Sequence, residues 1–432
     1  MNAYPPSQAP ARGRHLLTAD RGFATGAAVP ARLPARLLAP GFHRLLDRID
    51  RGLEAGGIET TLPDGRHRLL GGRAPGPLAE VALASWRPLV RLMTGGSVGW
   101  HRGWAEGEWS SPDPVALFEL FMLNRHALGG AARAGGLSRL VNRLGHALRR
   151  NSRRGARRNI AFHYDLGNDF YAAWLDPGMA YSSALFAEPL SPAEPLAVAQ
   201  ERKVRALLDR LALKPGQRLL EIGCGWGGLA EIAARDYGVE VTGITLSAEQ
   251  KAYADARIAA AGLAERVRIA LTDYRDVRDR FDAVASVEMV EAVGQAYWGT
   301  YMAAIGRALK PGGRAAIQYI AIDDAVFDAY AAGADFIQTY IFPGGMLISE
   351  RRFAAAAQAA GLDWRDRHGF GAHYAETLRR WRASFDAAAA EGRLPSGFDA
   401  RFVDLWRYYL MYCEGGFRSG GIDVAQVTLV TP

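Results

Sequence analysis

The residues best suited to chemistry lie in LLEIGCGWGG, residues 219–228, where an apolar strand pattern runs straight into a glycine-rich turn and a helical pattern. Glycine tolerates left-handed backbone and carries no Cβ, so such a turn lets the main chain approach a ligand closely. Gly223, Gly225 and Gly228 also satisfy the dinucleotide spacing G-x-G-x-x-G, so the loop alone does not choose its nucleotide. A turn that only packs helix on strand is the bland alternative, and the glycine density speaks against it. Two features favour S-adenosylmethionine. Glu221 precedes the first glycine, and the next strand pattern, 239–245, ends without the acid that dinucleotide sites use for the ribose. It ends instead in TLSAEQ, residues 245–250, where Thr245, Ser247 and Gln250 offer neutral hydrogen-bonding groups.

These residues need a scaffold that gathers strand ends. After Asn159 the patterns RLLEIGC, VEVTGIT, VRIALTD, FDAVASV and RAAIQYIAI alternate with helical stretches or loops. That order predicts an α/β fold with a doubly wound, mostly parallel sheet, Rossmann-like, over residues 159–432. Residues 37–130 read as a small α+β domain, with LPDGR at 62–66 as a turn and a helix start in the Ser, Pro and Asp cluster before residues 114–124. Residues 131–158 carry repeated arginines between Leu and Val, a basic amphipathic helix and linker or a solvated face. Residues 1–36 mix Pro, Ala, Gly and Arg and read as a disordered arm, neither a leader peptide nor a foldable segment.

Half the residues are apolar, and no run of about 18 apolar residues could cross a bilayer. Cys224 and Cys413 are the two cysteines, too few for a disulfide framework or a structural zinc site, so no metal is expected and a reducing cytoplasm fits. The formal charge of +7 suits an anionic partner. The arginine-rich stretch lacks the interleaved aromatics that stacking on bases requires, so no nucleic acid is expected. An anionic membrane surface fits, each basic residue adding on the order of 1 kcal/mol.

A series of ordered motifs resembles the cyclopropane-fatty-acyl-phospholipid synthases and their relatives, the mycolic acid methyltransferases. It runs through FHYDLGNDFY (162–171), YSSALF (181–186), LEIGCGWGG, GITLSAEQ, DYRD (273–276), VEMVEAVG (287–294), LKPGGR (309–314), YIFPGG (340–345), HGFGAHY (368–374) and YYLMYCEGGF (408–417). The resemblance spans residue 159 to the end of the chain, and the α+β segment before it is similar to the N-terminal domain of bacterial members. It implies that Tyr181 and Ser182 close over the methyl donor. Glu221, Gly223, Cys224, Gly225, Trp226 and Gly227 would cradle its amino-acid end and ribose. Thr245, Leu246, Ser247 and Gln250 complete the ribose side, and Tyr274 and Arg275 line the adenine pocket. Tyr274 also reads as an ordinary core aromatic.

The implied reaction adds a one-carbon unit from S-adenosylmethionine to the double bond of an unsaturated acyl chain in a membrane phospholipid, giving a cyclopropane fatty acid. An alkene is a weak nucleophile, so a dry, positioned site is required. Phe336, Tyr340, Phe342 and Tyr374 would present aromatic faces to the cation that methyl transfer leaves. The proton is then taken, by implication of the family, by a bound bicarbonate held by a Cys, a Glu, a His, an Ile backbone and a Tyr. The matching positions are Ser183, Glu291, Gln318, Ile320 and Tyr374, so the Cys and His are absent, and the family's Glu-His pair is Glu291 and Ala292. Glutamine cannot exchange protons as imidazole does, which makes C-methylation without ring closure the alternative product. Cys413 falls on a cysteine once regarded as catalytic in the family, and also reads as a small packing residue. A methyltransferase for a soluble metabolite, and a lipid-binding protein with a decayed pocket, are the competing functions. A cytoplasmic location at the inner membrane face is expected, and a homodimer remains open.

Overall fold

The computed structural model describes residues 12–20, 35–128, 155 and 166–431. The arginine-rich stretch at 131–158 therefore lies, apart from Gly155, outside the described residues, as do most of the 1–36 arm and the start of the FHYDLGNDFY motif. The chain forms two compact units that are not contiguous in sequence. The first comprises Met1–Leu148, Asp328–Pro343 and Phe385–Gly421, and the second Arg149–Phe327, Gly344–Ser384 and Ile422–Pro432.

The first unit contains a four-stranded sheet of β1 (Gly57–Thr61), β2 (His67–Gly71), β3 (Leu78–Leu83) and β4 (Trp109–Ser110), in the order β2-β1-β3-β4. The expected LPDGR turn joins β1 to β2. Leu62 N–H donates to the Arg66 carbonyl at 2.8 Å, and Gly65 sits at φ 82°, where only glycine is unstrained. The expected helix start is present as well: Asp113 accepts the Val115 N–H at 3.1 Å and caps helix Pro114–Leu123, with proline in its first turn. Helix Ala400–Arg418 lies close against it, since a Cβ on Gly415 would stand 2.6 Å from the Phe118 Cβ.

The second unit is built on a seven-stranded sheet. Its strands are β5 (Arg218–Ile222), β6 (Glu240–Thr245), β7 (Val267–Leu271), β8 (Phe281–Val287), β9 (Leu309–Ile322), β10 (Asp363–Gly369) and β11 (Ile422–Val430). They lie in the order β10-β11-β9-β8-β5-β6-β7. Pairs β5/β6, β6/β7, β5/β8 and β8/β9 are parallel, while β11 runs antiparallel to both β9 and β10. Strands covered on both faces read as continuous apolar runs, and the interiors of β5 and β8 are buried accordingly, with Leu219, Ala283 and Ala285 in one core that Ala316 of β9 joins. Strand order reverses between β5 and β8. At such a switch point the crevice beyond the carboxyl ends of the strands is where a ligand binds.

Candidate active site

At the carboxyl end of β5 the chain enters the glycine turn. Gly223, Gly225 and Gly227 all have left-handed φ, at 83°, 52° and 83°. Gly223 is also needed for space, because a Cβ there would meet Met289 Cγ at 2.8 Å. The Gly223 and Cys224 N–H groups both donate to the Ile244 carbonyl at 3.0 Å, tying the turn to β6, and helix Gly228–Asp236 follows. The turn borders a cavity of about 430 Å³, within the roughly 300–1,000 Å³ common for small-ligand sites.

Every donor-site residue expected from the sequence lines this cavity except Gly227 and Ser247. Ser247 instead caps helix Ala248–Ala260, its Oγ accepting the Gln250 N–H at 3.2 Å. Thr245 Oγ1 donates to Gln250 Oε1 at 2.9 Å. Tyr274 packs edge-on against Tyr301, and Arg275 forks onto Asp273, at 2.8 and 2.6 Å. Tyr181 is set among Tyr171, Trp174 and Trp381 with ring centroids 5.4 to 5.7 Å apart.

Beside the expected Glu221, the wall also holds two charged groups that sequence reading missed, Lys203 and Asp176. Lys203, on helix Leu196–Asp209, is fully buried and donates through Nζ to Ser182 Oγ at 2.5 Å. Burial pulls it down to about 8, against the attraction of Glu288, Asp176 and Glu221. Burial pushes Glu221 up to about 8, with Lys203 opposing, and one Glu221 oxygen, Oε2, has no hydrogen-bond partner. Asp176 is likewise raised by burial although it accepts the Gly178 and Ala180 N–H groups. Three buried carboxyls facing one lysine leave the wall anionic when ionised, an environment that favours a cationic ligand.

The cluster expected around Glu291 is divided between two glutamates. Glu288 is the one that gathers Ser183, Gln318 and Tyr374. Its Oε1 accepts the Ser183 backbone N–H at 2.9 Å and Gln318 Nε2 at 2.8 Å, and its Oε2 accepts the Tyr374 hydroxyl at 2.8 Å. Ser183 contributes its backbone, since its hydroxyl donates to the Ala184 carbonyl. Glu291, one 3-10 turn further on, accepts the Ile320 N–H at 2.5 Å through Oε1 and keeps Oε2 buried without a partner. Burial and the charge of Glu288 push Glu291 up to about 8. Glu288 is also raised, by burial, while Lys203 and its three donors pull the other way.

Phe336, Tyr340, Phe342 and Cys413 belong to the first unit. Phe336 and Tyr340 pack on His101 with centroids 4.7 Å away, and Phe342 lies edge-on to Tyr409. Burial raises the Cys413 thiol, as it raises the Cys224 thiol, so neither is a ready thiolate.

Residues 151–427 match a protein family described as mycolic acid cyclopropane synthetase. The chain is 42% identical over 355 residues to the tuberculostearic acid methyltransferase UfaA1 of Mycobacterium tuberculosis, covering 79% of this chain and 80% of that protein. It is 43% identical over 196 residues to the cyclopropane-fatty-acyl-phospholipid synthase of Escherichia coli strain K12, 45% of this chain and 48% of that one. Among solved structures it resembles the mycolic acid cyclopropane synthase CmaA1 complexed with SAH and CTAB, with a TM-score of 0.59, 29% identity, and coverage of 64% of this chain and 98% of the other.

Proposed function

The chain belongs to the mycolic acid cyclopropane synthetase family and is one of its S-adenosylmethionine-dependent methyltransferases, and from that premise we propose that it methylates the double bond of an unsaturated acyl chain in a membrane phospholipid. The observation that carries the reading is one cavity wall on which the glycine turn, Glu221 and Glu288 meet. Its residues fit the methyl donor. The orphaned Glu221 Oε2 invites a cationic or N–H group, Thr245 and Gln250 suit ribose hydroxyls, and the carboxyl-rich wall suits a sulfonium. When bound, S-adenosylmethionine supplies a methyl whose bond to sulfur breaks as the alkene π pair forms the new carbon–carbon bond. The protein's own part is to hold the reactants in line, exclude water and accept a proton.

Ring closure and ring-free methylation differ in the fate of the cation that follows. We favour the ring-free product, a methylated alkene or the precursor of a methyl branch. Gln318 and Ala292 stand where the resemblance implies imidazoles, and the relative sharing four fifths of its length is named a tuberculostearic acid methyltransferase. The cyclopropane reading keeps its own support in the 43% identity to a cyclopropane synthase. A free bicarbonate does not fit: the N–H and O–H donors that would hold it are engaged by the Glu288 carboxylate, with Glu291 nearby, and a second anion there meets like charge.

Phe336, Tyr340, Phe342 and Cys413 carry over on the resemblance alone, as proposed acyl-chain and active-site residues. Binding to an anionic membrane at the cytoplasmic face, and a homodimer, are proposals of the same standing. The formal charge of +7 supports the first, and among the described residues no helix is long and apolar enough to cross a membrane. Incubation with methyl-labelled donor and vesicles of monounsaturated phospholipid tests the proposal. Label in the acyl chain supports it, and label confined to a soluble product refutes it.

A further inference from the structure

We propose that Glu288 is the proton acceptor of the reaction, a carboxylate built into the chain where the resemblance implies a bound bicarbonate; this rests on the methyl-transfer reading above. Glu288 is one of the residues that line the cavity bordered by the glycine turn, between Val287 and Met289, so it stands at the donor site and not in a remote structural cluster. It is held there by groups from separate elements: the Ser183 N–H from the segment before helix Leu196–Asp209, Gln318 from β9 and Tyr374 from helix Gly371–Ala390.

The supporting shell fixes which way these donors point. Gln426 on β11 donates through Nε2 to Gln318 Oε1 at 3.1 Å and to the Lys203 carbonyl at 3.1 Å, while Arg210 donates to Gln426 Oε1. With its oxygen so engaged, the Gln318 amide presents its nitrogen to Glu288. A glutamine here cannot remove a proton itself, but it orients a group that can.

The backbone gives a second, independent sign. Glu288 adopts φ 49°, in the left-handed region where a glutamate costs on the order of 1 kcal/mol, and its own N–H is held by the Gln318 carbonyl at 2.8 Å. Strain of this kind persists where surrounding contacts over-determine it, and it clusters at functional sites. Burial, opposed by Lys203, raises the carboxylate above the ordinary range, which makes it a stronger base than a solvated glutamate.

The proton balance is complete without an added reactant. After transfer, one carbon of the former double bond bears the methyl and the other is electron-deficient. A C–H bond of the new methyl breaks and its electron pair closes the ring. Alternatively, the hydrogen on the methylated carbon shifts first, with its electron pair, to the electron-deficient neighbour, and the pair of the breaking methyl C–H bond then forms a C=CH₂ double bond branching from the chain. In both cases the proton goes to a Glu288 oxygen and on to solvent after product leaves, and nothing is oxidised or reduced.

The test uses the full chain, labelled donor and monounsaturated phosphatidylglycerol vesicles, in carbonate-free buffer and with bicarbonate added. Wild-type turnover should change less than twofold with bicarbonate. Glu288→Gln should fall by about 10²-fold or more at saturating donor, a loss in kcat that excess donor does not restore. Glu288→Gly, which relieves the backbone strain, should gain turnover at least tenfold on bicarbonate addition and should bind the anion calorimetrically where wild type does not. Wild-type turnover that collapses without bicarbonate, or Glu288→Gln turnover within threefold of wild type, overturns the assignment while leaving lipid methylation intact. Wild-type protein that labels no lipid overturns both.

Discussion

Replacing Tyr374 with phenylalanine keeps the ring and removes the hydroxyl that donates to Glu288 Oε2 at 2.8 Å. A hydrogen bond to a buried charge contributes about 1.5–3 kcal/mol, and 1.36 kcal/mol corresponds to one pKa unit, so Glu288 should become harder to ionise by roughly one to two units. The base works as the carboxylate, so turnover rises with pH through its pKa, and the substitution should carry that limb upward. The groups acting on Glu288 are Lys203, the Ser183 N–H, Gln318 and Tyr374, against its burial. Glu291 keeps its proton up to about 8 through burial and the charge of Glu288, so the neutral Glu291→Gln should leave the limb where wild type has it. The assay is the initial rate of label transfer into unsaturated vesicles across about pH 6 to 10 for the three proteins. Below the limb Tyr374→Phe should run about ten- to a hundredfold slower than wild type, and the curves should converge above it. A limb that stays in place in Tyr374→Phe, or moves as far in Glu291→Gln, refutes the electrostatic reasoning.

Gly223→Ala forces an L side chain to φ 83° with its Cβ near Met289 Cγ, a penalty of about 1–2 kcal/mol before the clash is counted; donor affinity measured by calorimetry should fall at least tenfold. Glu221 and Glu291 are both raised from 4.5 to about 8 by burial, so the folded state binds their protons more tightly than the unfolded state. Their stabilisation is full below about 4.5 and is lost as pH rises through about 8, at up to about 1.4 kcal/mol per pH unit for each group. Melts of donor-free protein should therefore fall between pH 5 and 8, and less steeply in Glu291→Gln; equal slopes contradict this. Lys203, lowered to about 8, contributes in the opposite sense and only above that pH. Cys224 and Cys413 should react with iodoacetamide at pH 8 far more slowly than a free thiol, read by mass spectrometry, because burial raises both.

The donor half of the site was legible because its chemistry is local. An apolar strand, three left-handed glycines and a helix follow one another within residues 218–236, and TLSAEQ begins at the end of the neighbouring strand. Lys203 left a readable trace, since it shares the buried stripe of its helix with Ala199 and Leu207, where a lysine needs partners. Glu288 left none. Two glutamates three residues apart compete in VEMVEAVG, and the choice between them depends on a backbone angle and on contacts from residues 183, 318 and 374. Ser183 was read by its hydroxyl, but its backbone does the binding, and main-chain donors are invisible to residue type. The placement of residues 328–343 and 385–421 with the N-terminal part likewise depends on tertiary packing, such as Gly415 against Phe118, that no local pattern encodes.

The most direct measurement is the structure of the labelled lipid after incubation of the full chain with methyl-labelled S-adenosylmethionine and a monounsaturated phospholipid. The account predicts label on a carbon of the former acyl double bond, one CH₂ added, with a residual double bond that hydrogenation converts to a methyl branch. Label in the headgroup, or in no lipid at all, would contradict it.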